Sequence, residues 1–208
     1  MNRNKTLFLT QFSILLAIEA LFCFTPLGSL PALGPIVATL AMIPVCITGV
    51  LLGPKAGTLM GLFAGLFSLT VWTFTPPNPM TAFVFTPFYT LGEFSGNIGS
   101  LIICLVPRVL TGTVAGLLYQ LIMRRAPGKN VLAFSLAGAA GSLVNTFGVV
   151  GGIWLFFGQQ YSTVAGEVMY LLVLGTILTN GLPEAVVCAI CTSAVCKPVT
   201  VMLKRRPA

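Results

Sequence analysis

Six apolar stretches fill most of this chain, and their lengths constrain its fold more than any motif does. They run over residues 6–24, 36–52, 56–74, 98–123, 130–157 and 168–196. A helix needs ~20 mostly apolar residues to cross the hydrocarbon core of a bilayer. Only 7% of the 208 residues are charged, against about 25% in soluble domains. The chain is therefore predicted to be an all-α integral membrane protein, a compact bundle of six transmembrane helices forming one domain over residues 1–208. That leaves no room for a soluble catalytic domain. The first stretch follows a basic start, as in a signal peptide. It exceeds the apolar core of about 7–15 residues in such a segment and is expected to remain as a helix.

The positions of the charges orient this bundle. Of eleven Lys and Arg residues, ten stand beside alternate connections: Arg3 and Lys5, Lys55, Arg124, Arg125 and Lys129, then Lys197 and Lys204 to Arg206. The intervening loops carry only Glu93 and Glu167. An excess of Lys and Arg marks the cytoplasmic side, so both termini are expected there. The net charge of +7 is thus a topology signal and not a nucleic-acid-binding stripe. Trp72 and Trp154 fall near the outer ends of their stretches, as interface anchors do.

Arg108 is the cation left over. It lies ten residues beyond Ile98, ~15 Å along a helix from its outer end. A charge at that depth marks a functional site by default and demands a partner. Glu19, Asn145, Asn180 and Glu184 also lie within the stretches, and counting along each helix brings all five to the outer half of the bilayer. Asn180 is one turn from Glu184 and on its face. Arg108 can pair with Glu19, with Glu184 or with a ligand, and its planar fork suits a carboxylate. Pro44, Pro107 and Pro183 interrupt three of the helices near this level, which is tolerated where a helix lines a cavity or packs on protein. Above them runs a long outer loop, residues 75–97, aromatic and nearly uncharged. Its composition argues for a packed lid and not for disorder. The sixth stretch is interrupted at Asn180-Gly181-Leu182-Pro183-Glu184.

Other signals are quieter. Gly57, Gly61 and Gly65 recur every fourth residue, as small residues do where helix backbones approach closely. Cys188 and Cys191 share a redox-like spacing, but they sit mid-helix without a second pair, which fits packing. The chain has no His, no phosphate-binding P-loop and no clustered acids. Neither an enzyme nor a cofactor or metal site is expected.

Three groups of residues carry a family likeness. The first is Ala38-Thr39-Leu40-Ala41-Met42-Ile43-Pro44, with Gly49-Val50-Leu51-Leu52-Gly53-Pro54-Lys55-Ala56-Gly57 and Gly61-Leu62-Phe63-Ala64-Gly65-Leu66. The second is Phe83-Val84-Phe85-Thr86-Pro87 with Val106-Pro107-Arg108-Val109-Leu110-Thr111-Gly112. The third is Gly141-Ser142-Leu143-Val144-Asn145-Thr146. Together they resemble the substrate-binding S components of energy-coupling factor (ECF) vitamin transporters, nearest to the pantothenate type. The resemblance implies a multi-pass protein of the bacterial cytoplasmic membrane, with an outward vitamin site. It also implies a complex with a membrane coupling subunit and two ATPase subunits, within membrane lipid. Such components dock their coupling subunit through a small-residue face of the first helix. Here Ser13 and Ala17 match it, with Ala20 beyond them.

The reading that follows is substrate capture for ATP-driven import, most simply of pantothenate, with no catalysis in this chain. Arg108 would hold the carboxylate. Asn145, Asn180, Glu184 and Asn97 would serve the amide and hydroxyls, and Trp72, Phe85, Tyr89 and Trp154 the apolar walls. Cobalamin, then folate or riboflavin, are the alternative vitamins. A structural membrane protein with internally paired charges is the alternative outside transport.

Overall fold

Helix α1, Arg3–Phe24, has neither Gly nor Pro to interrupt it and exposes most of its apolar side chains. The computed structural model describes residues 3–26, 40–165 and 168–205. The first outer loop from residue 27 onward, the start of the second apolar stretch at 36–39, Glu167 and Arg206 lie outside the described residues. Helix α2 covers Met42–Leu52 and ends at Gly53, whose φ of 95° suits glycine. Pro54 then opens α3, Pro54–Phe74, at a position where its missing N–H costs nothing.

The loop that follows is built and packed. Asn78 caps a 3-10 helix, Pro79–Val84, by accepting from the Met80 N–H at 3.1 Å. Thr81 to Thr86 are buried. Phe83 sits 6.0 Å from Phe94 and 5.7 Å from Phe157, ring centre to ring centre. Strands β1, Thr90–Leu91, and β2, Phe94–Ser95, pair antiparallel about a turn at Gly92. This hairpin is a small addition to an otherwise helical chain.

Helix α4, Ile98–Arg125, begins with a capping box in which Asn97 and Ser100 satisfy each other's backbone N–H groups. It is the centre of the bundle. Helices α3 and α5 (Asn130–Ala165) pack along it, α2 sits against both α3 and α4, and α7 (Leu182–Arg205) packs on α5. The recurring glycines are what bring α2, α3 and α4 together. A Cβ on Gly57 would strike the Gly112 carbonyl and the Gly49 Cα, and one on Gly61 would strike the backbone of Arg108. These are backbone contacts, the close approach that small residues allow.

One boundary differs from expectation, and the expected interruption of the sixth stretch lies a few residues earlier. A polar loop is expected from Gly158, yet α5 continues to Ala165. Phe157 and Tyr161, one turn apart, are both about 1% exposed within the cluster under the long loop, and that burial carries the helix on. The sixth stretch is broken at its middle by a π-helical turn, Ile177–Gly181, between α6 (Met169–Thr176) and α7. Pro183 has no N–H for the carbonyl four residues back. The neighbouring Leu182 N–H reaches five back, to Ile177. Among the described residues, five helices are long and apolar enough to cross a membrane, and Met42–Leu52 is a shorter apolar helix.

Candidate ligand-binding site

A cavity of about 100 Å³ opens between the helices beneath the long loop. Arg108 of α4, Asn145 and Thr146 of α5, Thr176 of α6, Asn180 of the π-helical turn and Glu184 of α7 supply its polar wall. Trp72, Phe85, Val149 and Met42 are among its apolar walls. Trp72 and Phe85 stack at 4.3 Å with an interplanar angle of 22°. The Arg108 guanidinium carbon lies 5.9 Å from the centre of the Phe85 ring on the other side of the site, within reach of a cation–π attraction.

The local structure explains how each group arrives. Gly61 lets the backbone of α4 approach α3 at Arg108. Gly148 does the same for α5, receiving Pro107. The π-helical turn sets Asn180 into the cavity, and Gly181 within that turn meets Thr146, where a Cβ would come within 2.8 Å of its methyl group.

Arg108 is 6% exposed. Its Nη1 donates to the Ile103 carbonyl at 2.8 Å, while Nε is buried with no hydrogen-bond partner among the described residues. The Oδ1 of Asn145 is likewise buried and unsatisfied. Unmet polar groups at such depth cost free energy, about 1–3 kcal/mol each and more when charged. Both residues line one cavity, which marks a place for a polar ligand. Glu19 is fully buried behind this wall. Its Oε1 accepts from the Cys23 thiol at 3.3 Å and its Oε2 has no hydrogen-bond partner among the described residues. Arg108 and Glu19 therefore do not hydrogen-bond to each other.

Of the residues expected to touch a ligand, Arg108, Asn145, Asn180, Glu184, Trp72 and Phe85 line the cavity. Three lie elsewhere. Asn97 is exposed and its side chain is spent on capping α4, accepting from Gly99 N–H at 2.7 Å. Tyr89 packs against the aromatic cluster of the loop. Trp154 is 68% exposed on the outer face of α5. Trp72, expected as an interface anchor, is buried instead, because its side of α3 faces the loop. Sequence reasoning missed Ser68, Cys23, Thr146 and Thr176. Thr176 precedes Asn180 by one turn and Cys23 follows Glu19 by one turn, so helical period could have found both. Ser13 and Ala17 are exposed on α1, and Ala20 is half-buried.

A helical membrane bundle with one small, polar-walled cavity under a packed loop is the architecture of a substrate-binding membrane component. The family model described as "ECF transporter, substrate-specific component" matches residues 7–196. The chain belongs to this family. Relatives include the Pantothenic acid transporter PanT of Lactococcus lactis subsp. cremoris (strain MG1363), 36% identical over 168 residues, covering 80% of this chain and 79% of the relative. The Pantothenate transporter PanT of Leuconostoc mesenteroides subsp. mesenteroides is 29% identical over 157 residues, covering 72% and 69%. The protein is accordingly a multi-pass transport component of a bacterial cell membrane.

Proposed function

We propose that this chain captures pantothenate from outside the cell and delivers it to the cytoplasm, driven by ATP hydrolysis in partner subunits. The observation that carries the proposal is the Arg108 guanidinium, buried with Nε unsatisfied on a cavity that also holds the unsatisfied Oδ1 of Asn145. A carboxylate meets the first and an amide N–H or hydroxyl the second. Pantothenate has all of these groups, and its gem-dimethyl carbon suits the Trp72 and Phe85 wall. The names of the relatives support the same ligand. A cavity of about 100 Å³ disfavours cobalamin, whose macrocycle would require the helices to part. Arg108 and Glu19 share no hydrogen bond, which supports a ligand over Glu19 as the hydrogen-bonding partner of Arg108.

The remaining parts of the reading follow the family. The chain spans six times with cytoplasmic termini, α2 belonging to the second span and α6 to α7 forming the sixth. Ser13, Ala17 and Ala20 on α1 seat a membrane coupling subunit, which joins two ATPase subunits.

Purified protein is screened by thermal shift against a panel of vitamins. Pantothenate is expected to stabilise it and cobalamin, folate and riboflavin are not. Arg108→Ala then removes one partner of a buried charge pair, a loss of about 2–5 kcal/mol, or at least about thirtyfold in Kd. The variant is expected to fold and to co-purify with its partner subunits. Undiminished pantothenate binding by Arg108→Ala would refute the assigned site, and stabilisation by a different vitamin would refute the ligand.

A further inference from the structure

We propose that Pro107 is a positioning residue that aims the Arg108 guanidinium, presenting one chosen edge of it to a planar carboxylate. The inference rests on the reading of Arg108 as the carboxylate anchor. In an α-helix the N–H of residue 107 would bond to the carbonyl of residue 103. Proline has no N–H, so the Ile103 carbonyl loses its helical donor. That carbonyl is where the Arg108 Nη1 donates, at 2.8 Å. Pro107 and Arg108 are adjacent in sequence, so the interruption and the group that repairs it arise together. The proline also packs on α5, its Cβ 2.9 Å from where a Cβ on Gly148 would stand.

The consequence lies in the geometry of the fork. Guanidinium is planar with five N–H donors in fixed directions. Nη1 lies on the side of the arginine stem, and the opposite edge carries the N–H of Nε and one N–H of Nη2. Fixing Nη1 on a backbone carbonyl fixes the plane and leaves that opposite edge for a ligand. Nε on this edge has no hydrogen-bond partner among the described residues. The edge offers two parallel donors, which match the two oxygens of a carboxylate and fit an alcohol or a primary amide poorly. Preorganisation of this kind spares the ligand the cost of ordering the side chain.

The test uses the full chain in detergent or nanodiscs, with Pro107→Ala and, closer to proline in volume, Pro107→Val. Each restores an N–H that competes for the Ile103 carbonyl. The expected result is a split: melting temperature is held or raised as the helix ladder is mended, while Kd for pantothenate weakens by about tenfold, the worth of roughly one hydrogen bond to a charged group. Preference for pantothenate over panthenol, its alcohol counterpart, is expected to shrink by a similar factor. Wild-type affinity and wild-type preference in both variants would overturn the proposal. So would affinity falling only in step with melting temperature, which is the mark of a structural role. Nitrogen-15 spectra of the arginine side chains in ligand-free protein separate this inference from the functional reading. If the wild-type protein fails to bind pantothenate, the reading of the ligand fails. The Arg108 Nε and Nη signals must still change between wild type and Pro107→Ala, and unchanged signals would overturn the positioning role.

Discussion

Gly61→Ala adds one methyl group 47 residues away in sequence from Arg108, and the bundle makes it a substitution in the binding site. The new Cβ would strike the Arg108 carbonyl oxygen and stand 2.7 Å from its carbonyl carbon and 2.9 Å from the Val109 Cα. Ordinary contact begins at 3.4 Å, so α4 must move by at least about 0.7 Å, and further to clear the carbonyl oxygen, because backbone atoms cannot rotate aside as a side-chain tip can. Overpacking of this kind costs about 1–3 kcal/mol. The better helix propensity of Ala returns up to ~1 kcal/mol. The net destabilisation is thus about 0–2 kcal/mol, up to about 8 °C in melting temperature. Binding suffers more. A hydrogen bond near 2.8 Å stretched by ~0.7 Å reaches about 3.5 Å, where little of it remains. Losing a hydrogen bond to a charged group forfeits about 1.5–3 kcal/mol, roughly 10- to 100-fold in Kd. Titration calorimetry with pantothenate gives Kd, and a melting curve of the ligand-free protein gives stability. Gly151→Ala is the control, since nothing lies within 4 Å of its added Cβ. The reasoning fails if Gly61→Ala and Gly151→Ala share one Kd and one melting temperature.

Two further substitutions test the corrected assignments. Asn97→Ala removes the α4 cap and is expected to cost about 1 kcal/mol of stability, seen as a lower melting temperature, with ligand affinity intact. Trp154→Ala removes a ring that is 68% exposed on α5, and pantothenate affinity measured by calorimetry is expected to change less than twofold, well under about 1 kcal/mol. A tenfold loss in either variant would mean that the site extends beyond this cavity.

The helical, membrane-spanning character of the chain and the convergence of most of its polar groups were legible from the chain alone. These are one-dimensional quantities: hydropathy accumulates along a run, and depth follows from counting at 1.5 Å per residue. Counting brought Arg108, Glu19, Asn145, Asn180 and Glu184 to one half of the bilayer, and the structure has all of these but Glu19 around one cavity. The proline in the last stretch likewise announced an interruption, found as the π-helical turn at Ile177–Gly181.

Rotation about each helix axis was not legible. Trp72 and Trp154 look equivalent in sequence, each an aromatic near the outer end of a span. The long loop covers Trp72 and leaves Trp154 outside. Asn97 and Asn145 are both amides near the right level. The backbone at the start of α4 claims the first, and no partner among the described residues claims the Oδ1 of the second. These outcomes depend on which faces meet across α3, α4 and α5, and glycine contacts between backbones set that. The sequence by itself determined that Arg108 would be a buried cation in need of a partner. Only the tertiary structure decided that its first partner is the Ile103 carbonyl, because the contest for a buried guanidinium is settled by distance and direction, which composition and spacing do not encode.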